Sequence, residues 1–208
     1  RTGFLPKENM QRSFNLLRTN DLIWNYVVSS WLMGEEPPAF DLLSWNNDST
    51  RMPAEMHTFY LRSCYVDNQL ARGAMELAGQ QLDLGKVDQD LYFLSAEQDH
   101  IAPWRSAYAG ARLPAGNVRF VLSNSGHIAG IVNPPSPKSL YRVIESDQPL
   151  PADPADWLAA ATTNTRTWWE DWAQWIGARA GGMRKPPRLG NRKYKPITEA
   201  PGTYVLET

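Results

Sequence analysis

Leu91-Tyr-Phe-Leu-Ser95-Ala-Glu-Gln-Asp99-His100-Ile101-Ala-Pro103-Trp104 is an apolar run that stops where an acidic residue begins. Val118-Arg-Phe-Val-Leu122-Ser123-Asn-Ser-Gly126-His127-Ile128 repeats the arrangement, with an imidazole in place of the acid. Both runs are rich in the β-branched and aromatic residues that favour strands, so each predicts a strand with a reactive side chain just past its end. In open α/β sheets ligands bind in the crevice at the carboxyl ends of the strands. Asp99 and His127, 28 positions apart, are therefore expected to converge there.

Asp before His is the tail of the nucleophile, Asp, His order of α/β-hydrolase-type enzymes, whose nucleophile comes first, on a strained strand-to-helix turn. The 208 residues contain no G-x-S-x-G or G-x-C-x-G. The only cysteine, Cys64, lies in His57-Thr-Phe-Tyr-Leu-Arg-Ser-Cys64-Tyr-Val66, a helical pattern without glycines, and reads as a buried structural thiol. Ser125 is likewise off any such turn. His127 is approached through Ser125-Gly126, and an unperturbed imidazole's pKa of ~6.5 suits a general base taking a thiol proton and returning it to a leaving group. The plain alternative is a structural histidine. Asp99 would hold the imidazole's tautomer and stabilise its charged form, or simply cap the helix predicted after Pro103. His100 is expected in a supporting or surface role, because adjacent residues point apart. The three histidines lack zinc-site spacing, so no metal is expected.

Further segments surround this pair: Phe14-Asn-Leu-Leu-Arg18-Thr-Asn-Asp21-Leu-Ile-Trp24-Asn25-Tyr26, Phe40-Asp-Leu-Leu-Ser-Trp45-Asn46-Asn-Asp48-Ser-Thr50, Tyr60-Leu-Arg and Asn68-Gln-Leu. Downstream stand Ser125-Gly126-His127-Ile128-Ala-Gly130-Ile-Val-Asn133-Pro134-Pro135, Trp168-Trp169 and Ala200-Pro-Gly202-Thr-Tyr204-Val. Together with Asp99-His100-Ile-Ala-Pro103-Trp104 they make the chain resemble the C-terminal half of the catalytic region of a class I polyhydroxyalkanoate synthase. The resemblance implies an α/β fold: the C-terminal part of an α/β-hydrolase core with a mainly helical cap, its nucleophile half absent. Residues 1–85 would be the cap. Residues 86–208 would hold the late strands, a Trp-rich helix and a basic tail. It also implies an acyltransferase polymerising (R)-3-hydroxyacyl-CoA, with 3-hydroxybutyryl-CoA the expected monomer. Asp99 and His127 would be catalytic, His100 supporting, and Asp99 would assist the substrate hydroxyl directly or through His127. A CoA thioester is the substrate, and no tightly bound cofactor is implied. The other implied partners are the growing polyester, a second copy of the chain and a polyester granule in the cytoplasm. The family's cysteine box is missing, so the chain alone is expected to be inactive. The alternatives are a non-catalytic cap or dimerisation fragment and a thioesterase or esterase using Cys64 or Ser125.

Composition sets wide bounds around this reading. A hydrophobic content of 42% is enough for a core, and a net charge of −1 with pI near 6.4 gives no global argument for nucleic acid. One cysteine excludes an internal disulfide framework. No run approaches the ~20 apolar residues that cross a bilayer, and Arg1-Thr-Gly-Phe-Leu-Pro-Lys-Glu8 lacks a signal-peptide core, so the chain reads as intracellular. A start without Met, beside the missing nucleophile, suggests that an upstream half has been lost.

Periodicity predicts a helix over residues 8–33, on Phe14, Leu17, Trp24, Val28 and Trp31. A turn at Gly34-Glu-Glu-Pro37-Pro38, a short apolar Phe40–Trp45 and a polar loop Asn46–Thr50 follow. Trp24, Tyr26 and Trp31 read equally as core aromatics or as a contact surface. A second helix is expected over Ala54–Val66, with Met56, Phe59, Tyr60 and Cys64 on one buried face. Asp153-Pro154 predicts a helix start. Trp168, Trp172 and Trp175 share the face of an amphipathic helix expected to dock on the core. Arg184-Lys-Pro-Pro-Arg188-Leu-Gly-Asn-Arg192-Lys-Tyr-Lys195 holds six basic residues and no acid, and reads as a solvated tail or a contact for CoA phosphates.

Overall fold

The computed structural model describes residues 3–17, 19–36, 50–145, 149–200 and 202–203. Pro37 and Pro38 of the predicted turn, all of Phe40–Trp45 and the Asn46–Thr50 loop up to Thr50 lie outside the described residues. So does the Tyr204-Val end of the last motif.

Both predicted strands form, as β5 (Leu91–Ala96) and β6 (Val118–Ser123). They pair in parallel, Leu91 opposite Val118 and Ala96 opposite Ser123, so their carboxyl ends lie side by side. Strands β7 (Tyr141–Val143) and β8 (Thr162–Asn164) extend the sheet in the order β5-β6-β7-β8, each antiparallel to its neighbour. Four outlying strands form two small pairs: β1 (Phe4–Leu5) with β2 (Met52–Pro53), and β3 (Glu76–Leu77) with β4 (Gln80–Gln81).

Alternation along β6 builds a core on both faces of the sheet. Phe120 and Leu122 point to one side, where they pack with Trp104, Tyr108 and Ala111 of α3 (Trp104–Ala111) and Trp157 of α5 (Pro154–Ala160). Val121 points to the other, joining Tyr141 and Val143 beneath Trp168 of α6 (Trp168–Gly177). Helix α5 starts as its sequence predicts: Pro154 opens it, and the Asp153 carboxylate accepts a 2.7 Å hydrogen bond from the Ala155 amide.

The Trp-rich helix docks, but not on the expected face. Trp168 and Trp175 turn inward, Trp175 lying 5.4 Å from Tyr92, whereas Trp172 is 38% exposed. The residue buried between the two tryptophans is Asp171. Arg119 of β6 decides this by donating to both Asp171 oxygens, at 2.9 and 2.5 Å, while the Tyr92 hydroxyl donates to Oδ2 at 2.9 Å. Burial, then the Asp171 charge, push the Tyr92 hydroxyl far above its ordinary pKa, so it stays a donor.

The N-terminal helical prediction holds with a change of pitch. Helix α1 (Lys7–Leu17) is followed by wide turns at Asn20–Trp24 and Val27–Leu32, in which an amide reaches back five residues, as from Met33 to Val28. Helix α2 (Ala54–Tyr60) continues into a similar turn at Leu61–Val66. The expected buried face is not buried. Met56 is 60% exposed, Phe59 and Tyr60 are exposed, Cys64 is half-buried, and the side chain facing inward is Ser63. Trp24 and Trp31 are also exposed, which removes the core-aromatic reading within this chain. The apolar stripe exists as the periodicity requires, but nothing among the described residues covers it.

Candidate active site

The chain leaves β5 and β6 in two loops laced together by main-chain bonds. The Glu97 amide donates to Ser123 O at 2.9 Å and the Gln98 amide to Ser125 O at 2.9 Å. Arg142 of β7 reaches across to Glu97, its Nη1 lying 2.8 Å from Oε2. Side by side, the loops bring Asp99 to His127: Nδ1 lies 2.8 Å from Oδ2.

Asp99 is fully engaged. Its Oδ1 accepts from the Ile101 and Ala102 amides at 2.9 and 2.8 Å, and its side chain is only 8% exposed. Burial alone would push its pKa up, but hydrogen bonds from Ala102, His127 and Ile101, with the His127 charge, outweigh it and hold the carboxyl below its usual range. An ionised carboxylate can only accept, so Nδ1 carries the proton of the neutral ring and Nε2 is left with its lone pair. Among the described residues Nε2 has no hydrogen-bond partner, and the ring is 41% exposed. The helix-cap alternative is also answered: Pro103, not Asp99, stands at the N-cap of α3, and Asp99 caps the loop before it with one oxygen while orienting His127 with the other.

His100 is exposed, and its ring centroid lies 6.5 Å from that of His127, edge-on at 74°. Cys64 forms no hydrogen bond with Asp99 or His127 among the described residues, and no cluster of three or more potential metal ligands occurs among them.

Of the expected Ser125-Gly126 approach, Ser125 carries the unusual backbone, and the steric demand falls on Gly130. A Cβ on Gly126 would meet only Gln98 O, at 3.8 Å, whereas Ser125 takes the left-handed φ of 77°. Gly130, in the short helix α4 (Ala129–Val132), is the position with no room: a Cβ there would lie 2.6 Å from the Ala96 Cβ and 2.8 Å from Asn124 O. The buried Ser123 hydroxyl lies 2.7 Å from Gly130 O and 3.2 Å from Ser95 O, fastening α4 to the sheet behind His127. The small residues of Ser123-Asn-Ser-Gly and Ala-Gly130 were the available signal. Gly130→Ala is expected to cost about 2 kcal/mol through overpacking, read as a lower urea midpoint.

The class is set by this geometry: a parallel strand pair whose adjacent ends carry an Asp and a His in hydrogen-bond contact. The chain belongs to the α/β-hydrolase fold family, whose model matches residues 1–134, a span containing both residues. Within that family it is similar over nearly its whole length to the poly(3-hydroxyalkanoate) polymerases, as its motifs predict. It is 45% identical to the poly(3-hydroxyalkanoate) polymerase subunit of Rhizobium meliloti over 98% of this chain and 33% of that protein. Polymerase 1 of Ectopseudomonas oleovorans is 46% identical over 99% of this chain and 36% of its own length. The Cupriavidus necator subunit is 42% identical over 94% and 33%. The chain thus spans about a third of the length of these curated relatives.

Proposed function

We propose that this chain supplies the acid and base of a polyhydroxyalkanoate synthase, an acyltransferase that polymerises (R)-3-hydroxyacyl-CoA and releases CoA. The carrying observation is the 2.8 Å His127–Asp99 contact with Nε2 open, in a chain similar to named polymerases along nearly all of its length. The nucleophilic thiol would come from polypeptide outside these 208 residues. His127 Nε2 takes the thiol proton, the thiolate attacks the thioester carbonyl, and the proton leaves with the CoA sulfur. For chain growth the 3-hydroxyl must lose its proton before attacking the acyl group. Both Asp99 oxygens are already occupied, which favours a role through His127 over direct contact with substrate.

Residues 1–85 serve as the cap, and their uncovered apolar stripe, with Trp31 83% exposed, suits contact with the rest of the enzyme or a second copy. No helix among the described residues is long and apolar enough to cross a membrane, and binding at a polyester granule would use surface contact.

The test is CoA release from 3-hydroxybutyryl-CoA by the chain alone and mixed with a polypeptide supplying the cysteine box. Release in the mixture only is expected. Release by the chain alone, lost in Cys64→Ala, would instead make Cys64 the nucleophile. No release from either, with folded material, would favour a non-catalytic module.

A further inference from the structure

Between Asp171 and Glu199 the chain has no acidic residue, and residues 184–195 carry Arg184, Lys185, Arg188, Arg192, Lys193 and Lys195. All six are exposed, and none pairs with a carboxylate of the described residues. This leaves a concentrated positive field on a chain whose net charge is −1. The cations are interleaved with apolar side chains in full contact with water: Met183 is 103% exposed, Leu189 90% and Ile197 98%.

The segment is not shapeless. Asn191 Oδ1 accepts from the Lys193 and Tyr194 amides at 2.9 and 2.8 Å, and the Asn191 amide donates to Tyr194 O at 2.8 Å. Gly190, at φ 67°, lets the chain fold back so closely that a Cβ there would lie 2.6 Å from Pro196 Cδ. The turn holds Arg192, Lys193 and Lys195 together before any partner arrives, which lowers the ordering cost of binding.

We propose that residues 183–197 form an interfacial patch that docks on an anionic phospholipid surface, the cations meeting headgroup phosphates and Met183, Leu189 and Ile197 entering the acyl boundary. The composition selects this partner. A nucleic acid would use the cations and aromatic faces for stacking, but the patch offers one aromatic, Tyr194, and three aliphatic chains that phosphate cannot use. An anionic bilayer surface rewards both halves, through attraction of each Lys or Arg and burial of apolar side chains. The inference does not depend on the acyl-transfer reading.

The test is co-sedimentation of the 208-residue chain with phosphatidylcholine vesicles, with and without roughly a third phosphatidylglycerol. Binding only to the anionic vesicles, reversed by salt, is expected. Arg188→Gln/Arg192→Gln/Lys193→Gln/Lys195→Gln should lower the partition coefficient by more than about 100-fold. Leu189→Ser/Ile197→Ser should lower it about tenfold while leaving binding to single-stranded DNA unchanged. All these positions are exposed, and an unchanged far-UV spectrum verifies the fold. Equal binding to neutral vesicles, no binding, or indifference to Leu189→Ser/Ile197→Ser would each overturn the proposal, the last in favour of a general polyanion site.

Discussion

His127→Ala is expected to abolish CoA release by the mixture of this chain with a cysteine-box polypeptide, lowering turnover by about 10³-fold or more. The size follows from what is lost. A thiol at neutral pH is mostly protonated, and His127, whose Nδ1 is held by Asp99, presents an Nε2 with no hydrogen-bond partner among the described residues. Asp99→Asn should have an effect of similar order, because an amide can donate toward Nδ1 and would favour the tautomer with Nε2 protonated. The fold should survive both changes, which circular dichroism checks. The pH dependence has a defined sign. The folded carboxyl of Asp99 lies below its ordinary value, so its stabilising contribution is complete above the ordinary carboxyl range near pH ~4. It fades only as pH falls through the lower folded value. Asp99→Asn should therefore flatten the acid limb of a plot of melting temperature against pH and leave the alkaline limb unchanged.

Trp157→Ala is expected to cost about 4 kcal/mol, the largest loss of stability from any single substitution considered. Trp157 is fully buried, and its ring centroid lies 5.0 Å from Phe120, 5.8 Å from Tyr108 and 6.1 Å from Trp104. Its indole Nε1 has no hydrogen-bond partner among the described residues, so truncation orphans no acceptor there. The penalty is the cavity and the lost ring contacts. Trp157→Phe should recover more than half. Trp104, which loses the Trp157 ring contact, begins the helix that follows the Asp99 loop, so the loss can reach the site through that helix. A lower urea midpoint together with a weakened His127–Asp99 hydrogen bond, seen as loss of a downfield imidazole proton by nuclear magnetic resonance, is the expected pair of results.

Much of the fold was legible from local chemistry. Aromatic and branched runs marked β5 and β6, Asp153-Pro154 marked the start of α5, and the order of Asp99 and His127 marked a hydrolase-type site. These features depend on neighbours in sequence, through dihedral preference, capping and side-chain period.

Other features depend on partners far along the chain. Periodicity correctly placed apolar residues on one face of the helix over 54–66, yet that stripe is exposed, because a stripe says which side can be buried and not whether anything arrives to cover it. The Trp-rich helix turned to suit Arg119, 52 residues away, which brought Asp171 inward and left Trp172 outside. The Ser125-Gly126 pair marked the small-residue approach, but which of the two carries the strained φ, Ser125, and the steric demand that Ala96 of β5 places on Gly130 were not legible. The amino-acid sequence by itself determined β5, β6, the start of α5, and the order of Asp99 and His127 just past two strand ends. Tertiary structure alone decided the directions of β7 and β8, the docking faces and the 2.8 Å contact between Asp99 and His127. The division has one physical reason: local preferences act within a few residues, whereas burial, register and charge pairing are set by whichever distant surface closes over them.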